Sequence, residues 1–139
     1  MTATAAVRSL PATGRRWPDL LLVGAAHAGT PELRGALERH PEVHFSDPAE
    51  PHFFSAIRPS RRFARQMPVV PDEDAYAALF AAMPAGAVAA EASTSYLWST
   101  DAPARIAAAN PAARVVIVLR DPIERAWAHH RADSAHGAE

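Results

Sequence analysis

Asp19-Leu-Leu-Leu-Val-Gly24, then Ala25-Ala-His-Ala-Gly-Thr30, then Pro31-Glu-Leu-Arg-Gly-Ala-Leu-Glu-Arg39 form one unbroken stretch, and its reading decides the fold. The apolar run is far too short to span a membrane and has the length of a strand covered on both faces. Gly24 and Gly29 bracket a turn of small residues in which backbone can approach a ligand closely. Thr30 is placed to cap a helix over residues 31–39, and Pro31 falls at the first helical position, where its missing N–H costs least. Unpaired amides at that helix start, together with the helix dipole, would make an anion cradle. The same pattern also serves as a plain parallel α/β connection with no ligand, so the turn alone does not choose between the two.

Downstream, His40-Pro41 ends the helical pattern and residues 43–45 predict a short extended segment. In Ser46-Asp-Pro-Ala-Glu-Pro-His-Phe-Phe54, prolines on both sides of Ala49-Glu50 hold the chain extended, and a carboxylate and an imidazole, Glu50 and His52, fall beside two aromatic anchors. Arg58, Arg61, Arg62 and Arg65 form the one basic cluster, either a hold for an anion or a solvated loop. Asp72-Glu73-Asp74 predicts a helix N-terminus, with apolar residues at helical spacing up to Pro84. A strand over residues 87–90 leads into the hydroxyl-rich loop Glu91-Ala-Ser-Thr-Ser-Tyr-Leu-Trp98, where Glu91 and Ser93 either shape a cleft or stabilise the loop. Asp101 is expected to cap the next helix, which Asn110-Pro111 closes. Residues 114–119 are the strongest strand, followed by Arg120-Asp121-Pro122 and a helix to about residue 130. Strands alternating with helices predict a parallel sheet with right-handed crossovers, whose ligands bind beyond the carboxyl ends of the strands. The Gly24 turn, Glu91 and Arg120 all fall at those ends.

The 139 residues suffice for one domain: residues 1–16 are expected to be a flexible tail and residues 17–139 the folded unit. A net charge of −1 gives no general argument for nucleic acid or an anionic membrane, so any anion site must be a local arrangement of donors. The chain has no cysteine, which removes thiolate chemistry, and no lysine, so all 14 basic residues are arginine and no ammonium group is available for catalysis. No apolar run reaches transmembrane length, and a cytoplasmic location is expected by default. Adjacent His129 and His130 point in different directions on a helix and have no ligand-spaced partner, so no metal is expected.

Four segments in this order, Asp19–Gly24 with Gly29-Thr30, Glu50-Pro-His-Phe-Phe54, Glu91-Ala-Ser-Thr-Ser-Tyr96, and Val115-Val-Ile-Val-Leu-Arg-Asp-Pro122 with Glu124-Arg125, resemble the sulfotransferase superfamily, in particular its carbohydrate and heparan sulfate branch. The resemblance implies an α/β fold with a P-loop-like parallel sheet flanked by helices. It also implies 3′-phosphoadenosine 5′-phosphosulfate (PAPS) as donor, without a metal, and transfer of its sulfuryl group to a hydroxyl or amine of a small-molecule or carbohydrate acceptor. The family's 5′-phosphosulfate cradle maps to Ala26, His27, Ala28, Gly29 and Thr30. His27 stands where the family has a lysine, and Pro31 replaces a hydroxyl residue. The family's 3′-phosphate arginine is Arg120, and its serine, eight residues on, is Ala128. Glu50 matches the general base of the carbohydrate branch, and His52 is the alternative base.

The family continues beyond the segment that ends here. An incomplete sulfotransferase domain is therefore expected, with an uncovered face through which copies associate. The competing reading is an inactive nucleotide-binding or interaction module derived from a sulfotransferase. A P-loop NTPase fits less well, because the turn lacks the lysine and the magnesium-holding arrangement.

Overall fold

The computed structural model describes residues 14–57 and 67–135. The basic cluster Arg58, Arg61, Arg62 and Arg65 lies outside the described residues. Four parallel strands, β1 (Leu20–Gly24), β2 (Val43–Phe45), β3 (Val88–Glu91) and β4 (Arg114–Val118), form one sheet in the order β2-β3-β1-β4. Helices α1 (Thr30–Leu37), α2 (Glu73–Ala78), α3 (Ala102–Ala109) and α4 (Pro122–Ala135) connect or follow them, and a 3₁₀ turn (Thr94–Leu97) precedes α3. The α/β sheet flanked by helices is the fold class read from the sequence.

Side-chain alternation along β1 sorts the helices onto two faces. Leu21 and Val23 pack into one core with Tyr76, Phe80 and Ile106, from α2, the turn after it and α3. Gly24 faces the other way: a Cβ there would lie 2.6 Å from Thr30 Cγ2 of α1. Right-handed crossovers give the same result, since the chain steps one way from β1 to β2 and the other way from β2 to β3 and from β3 to β4. Adjacent strands β1 and β3 thus send their outgoing connections over opposite faces, and a crevice opens between them at their carboxyl ends.

The main core is aromatic. Phe53 stacks on Tyr76 at 4.2 Å between centroids, Phe54 meets both rings edge-on, and Trp17 packs against all three. The pair that follows Glu50 and His52 is therefore anchored as its sequence suggested.

Several local expectations are corrected. Thr30 is the first helical residue and buried, and Gly29 (φ 107°) is the cap, because the close approach to Gly24 requires Thr30 to turn inward. Asp101 precedes α3 without a side-chain capping bond, and Ser99 Oγ accepts from the Ala102 amide instead. Regular α2 ends at Ala78, followed by overlapping turns to Met83. Glu91 closes β3 rather than opening a loop, and α4 runs to Ala135. The end of the expected tail is part of the fold. Arg15 pairs with Glu73 and Asp74 at the acidic start of α2, and Arg16 donates to the carbonyls of Met83, Pro84 and Ala87. These contacts tie both residues to α2 and the turns after it, so the folded part includes positions that composition placed in the tail.

Candidate functional site

The turn after β1 folds back tightly. Ala25 donates to Val118 O at 3.1 Å and Ala28 to Ala25 O at 3.1 Å. Neither bond uses the amides of Ala26, His27, Gly29 or Thr30, which remain at the mouth of α1 for a ligand. Gly24 lets this happen, since a side chain there would strike Thr30 and Val118. Among the described residues only two other than glycine have positive φ, His27 at 63° and His52 at 53°. Both stood out in the sequence, and a non-glycine residue held in that region marks a position that the surroundings over-determine.

Glu50 and His52 lie in the segment after β2, and the turn after β3 holds that segment along its length. Thr94 donates its amide and its hydroxyl to Glu50 Oε2, at 3.1 and 2.7 Å. The His52 amide donates to Ser93 Oγ at 3.0 Å, and the Phe54 amide donates to the Tyr96 hydroxyl at 3.3 Å. Glu50 keeps part of its carboxylate in solvent, whereas His52 is buried with Nε2 3.7 Å from Glu50 Oε2. Burial pushes the His52 imidazole below its ordinary pKa, and the Glu50 charge offsets part of that.

Behind them sits Glu91, fully buried at the end of β3. Ser93 Oγ donates to its Oε2 at 2.8 Å, while Oε1 and the neighbouring Tyr76 hydroxyl have no hydrogen-bond partner among the described residues. Burial raises the Glu91 carboxyl to about 7, against hydrogen bonding that favours the carboxylate. Its role is to brace the turn through Ser93, which agrees with the loop-stabilising alternative. The run Ser93-Thr94-Ser95 was legible as hydroxyl-rich, but Ser55 and the roles of Thr94 and Ser95 were not foreseen. The only signal for them was the density of hydroxyls beside a carboxylate.

His27 joins the two halves. Its ring stacks on His129 of α4 at 4.5 Å, which carries α4 against the turn. Burial and the neighbouring His129 lower its pKa, while Asp133 and Glu50 act in the opposite sense. His27 is therefore largely neutral at neutral pH. Both groups lie beyond the carboxyl ends of neighbouring strands, His27 in the turn after β1 and Glu50 on the turn after β3 through Thr94.

Arg120 and Ala128, expected from the sequence at a 3′-phosphate, offer one donor group between them. Arg120 lies at the end of the strand next to β1, exposed, with its Nε donating to Glu124 Oε2 at 3.1 Å. Ala128 lies on α4 beside His129 and offers no donor. The anion donors at these strand ends are thus the backbone amides of the β1 turn and the Arg120 guanidinium. Among the described residues no cluster of three or more metal-ligating side chains occurs, and no helix is long and apolar enough to cross a membrane.

No protein-family model matches the chain. Human heparan sulfate glucosamine 3-O-sulfotransferase 6 is 33% identical over 112 residues, which cover 81% of this chain and 29% of the relative. Mouse heparan sulfate glucosamine 3-O-sulfotransferase 3B1 is 30% identical over 115 residues, covering 83% and 26%. The crystal structure of a sulfotransferase from Alicyclobacillus acidocaldarius superposes with a TM-score of 0.81 at 30% identity, covering 89% of this chain and 53% of that one. The chain therefore spans less than a third of these curated relatives and about half of the solved structure.

Proposed function

We propose that this chain, which belongs to the sulfotransferase superfamily, binds PAPS at the β1 turn and supplies the base for sulfuryl transfer to a carbohydrate-like hydroxyl or amine. One observation carries the reading. The amides at the mouth of α1 and the Glu50 carboxylate, held by two donors from Thr94, lie beyond the carboxyl ends of the adjacent strands β1 and β3. The donor supplies an activated sulfuryl group whose leaving group is a phosphate. The chain's own contribution is to hold that phosphate on backbone amides and to take the acceptor proton on Glu50.

Two donated hydrogen bonds to Oε2 fix the orientation of Glu50, while its other oxygen stays open to an acceptor. A heparan-like amino sugar is the acceptor class suggested by the names of the curated relatives. The reading as an inactive module draws support from His27 and Ala128, each of which removes a side-chain contact to a phosphate.

Calorimetric titration with adenosine 3′,5′-bisphosphate tests the proposal, with AMP as the control for the 3′-phosphate. Saturable binding that needs the 3′-phosphate supports the cofactor site. A folded chain that binds neither nucleotide overturns it.

A further inference from the structure

The hydroxyls behind His52 fix where its protons lie. Ser55 Oγ lies 3.0 Å from the His52 carbonyl oxygen, which also accepts from the Ser55 amide at 3.3 Å; two oxygens that close need a proton between them and a carbonyl can only accept, so the single Ser55 hydroxyl proton points there. Ser95 Oγ lies 2.9 Å from Ser55 Oγ, so Ser95 must be the donor of that bond. With its own proton committed in turn, Ser95 Oγ can only accept from His52 Nδ1, 2.8 Å away. The ring therefore carries its proton on Nδ1, and Nε2 is left with a lone pair.

That is the less expected arrangement. A carboxylate beside an imidazole ordinarily draws the proton to the nitrogen facing it, and here Nε2 faces Glu50 Oε2 at 3.7 Å. The Glu50 oxygen is already supplied by Thr94 and needs no donor from His52. His52, Ser55 and Ser95 are all buried, so water does not compete for these bonds.

We propose that Ser55 and Ser95 are positioning residues that hold His52 as the Nδ1–H tautomer, so that Glu50 and His52 Nε2 together accept and hold one proton. The chemical use of this pair rests on the function proposed above; the tautomer itself does not. As the acceptor oxygen forms its bond to sulfur and the S–O bond to the leaving phosphate breaks, the acceptor O–H proton forms an O–H bond on Glu50. Once the 3.7 Å between Glu50 and Nε2 closes to hydrogen-bond distance, the proton passes to the Nε2 lone pair, which leaves Glu50 a carboxylate beside an imidazolium. Return through Glu50, the more exposed of the two, releases the proton to solvent.

Long-range ¹⁵N–¹H correlation spectra of the ¹⁵N-histidine-labelled chain read the tautomer directly, with His52→Gln assigning the signal. The expected wild-type result is a protonated Nδ1 and a pyridine-like Nε2. In Ser95→Ala the acceptor is gone, and in Ser55→Ala the Ser95 proton is freed to point at Nδ1. Both variants are expected to move the proton to Nε2, while Ser95→Thr keeps it on Nδ1. A wild-type spectrum with Nε2 protonated overturns the proposal even if neither alanine variant folds. A tautomer unchanged in both folded alanine variants overturns the role of the serines. Neither readout requires nucleotide, so failure of the bisphosphate titration leaves the tautomer result standing and removes only its use in sulfuryl transfer.

Discussion

The two flanks of β1 are built to different standards. On the β3 side, Tyr76, Phe54 and Phe80 are fully buried, and the chain around Glu50 and His52 is bonded to the turn after β3 by side chain and backbone alike. On the β4 side, the consecutive residues Val115, Val116 and Ile117 are exposed on both faces of the strand, and α4 buries none of its residues. The difference teaches where each half of the site gets its order. The candidate base is fixed by partners within this chain. The residues expected at the 3′-phosphate follow β4, which pairs with β1 on one side, and lie on α4, which meets the β1 turn through the His27–His129 stack but buries none of its residues.

Truncation on the packed side should give the largest effect. Tyr76→Ala removes a ring that touches Trp17, Phe53, Phe54 and Phe80, and a loss of about 3–5 kcal/mol in urea unfolding is expected. A loss below about 1 kcal/mol would mean that the aromatic cluster is loosely packed, and the contrast between the flanks would fail.

Glu91 gives the next effect, and it depends on pH. A carboxyl whose folded pKa is raised from 4.5 to about 7 binds more protons in the native state than in the unfolded chain between those values. Its contribution is therefore most favourable below pH 4.5 and is lost as pH rises through 7, by about 3 kcal/mol. His27 and His52, whose pKa values are lowered, act in the opposite sense, their contributions being lost as pH falls below the ordinary histidine range. The difference between wild type and Glu91→Gln isolates the carboxyl. The wild type should lose stability relative to the variant as pH rises from 5 to 8. A flat difference would show that the Glu91 carboxyl is not desolvated.

A smaller gain is expected at the crevice itself. His27→Lys places a full cation where a largely neutral imidazole now stacks on His129, and should tighten adenosine 3′,5′-bisphosphate by about 1.5–3 kcal/mol, tenfold or more. Ala128→Ser should add less, because Ala128 stands on a helix that buries none of its residues. Equal affinities in titrations of the wild type and His27→Lys would remove position 27 from the phosphate site.

Much of this was legible in the residues. Gly24, Gly29 and the apolar run before them specify strand, turn and helix locally, and β-branched residues 114–118 specify β4, since short-range sterics and periodicity decide such elements. Glu50 and the aromatic pair after it were readable because prolines fix the chain around them. The partners of that segment were not, because Thr94, Ser93 and Ser95 lie some forty residues away and meet it only through the strand order β2-β3-β1. Nor could sequence show that Glu91 is buried, because a carboxylate following two alanines reads equally well as a strand end or a loop. The tail boundary was missed for a related reason: Arg15 and Arg16 find their partners only after α2 is in place.

The smallest effect is expected at Trp127, and it probes the exposed flank most directly. Its ring is 62% exposed and has one aromatic neighbour, His130, at 5.8 Å on the same helix. Removing it forfeits little buried area, so Trp127→Ala should change monomer stability by less than about 0.5 kcal/mol. Large apolar side chains exposed together on an edge strand and its helix favour association, so the same variant, or Ile117→Lys on β4, should lower the apparent mass in concentration-dependent sedimentation. The two measurements separate two accounts of the flank. A cost near 2 kcal/mol at high protein concentration that vanishes on dilution would mean that a second copy covers α4. A cost that persists on dilution would mean that α4 packs within the monomer, and the contrast between the two flanks of β1 would no longer hold.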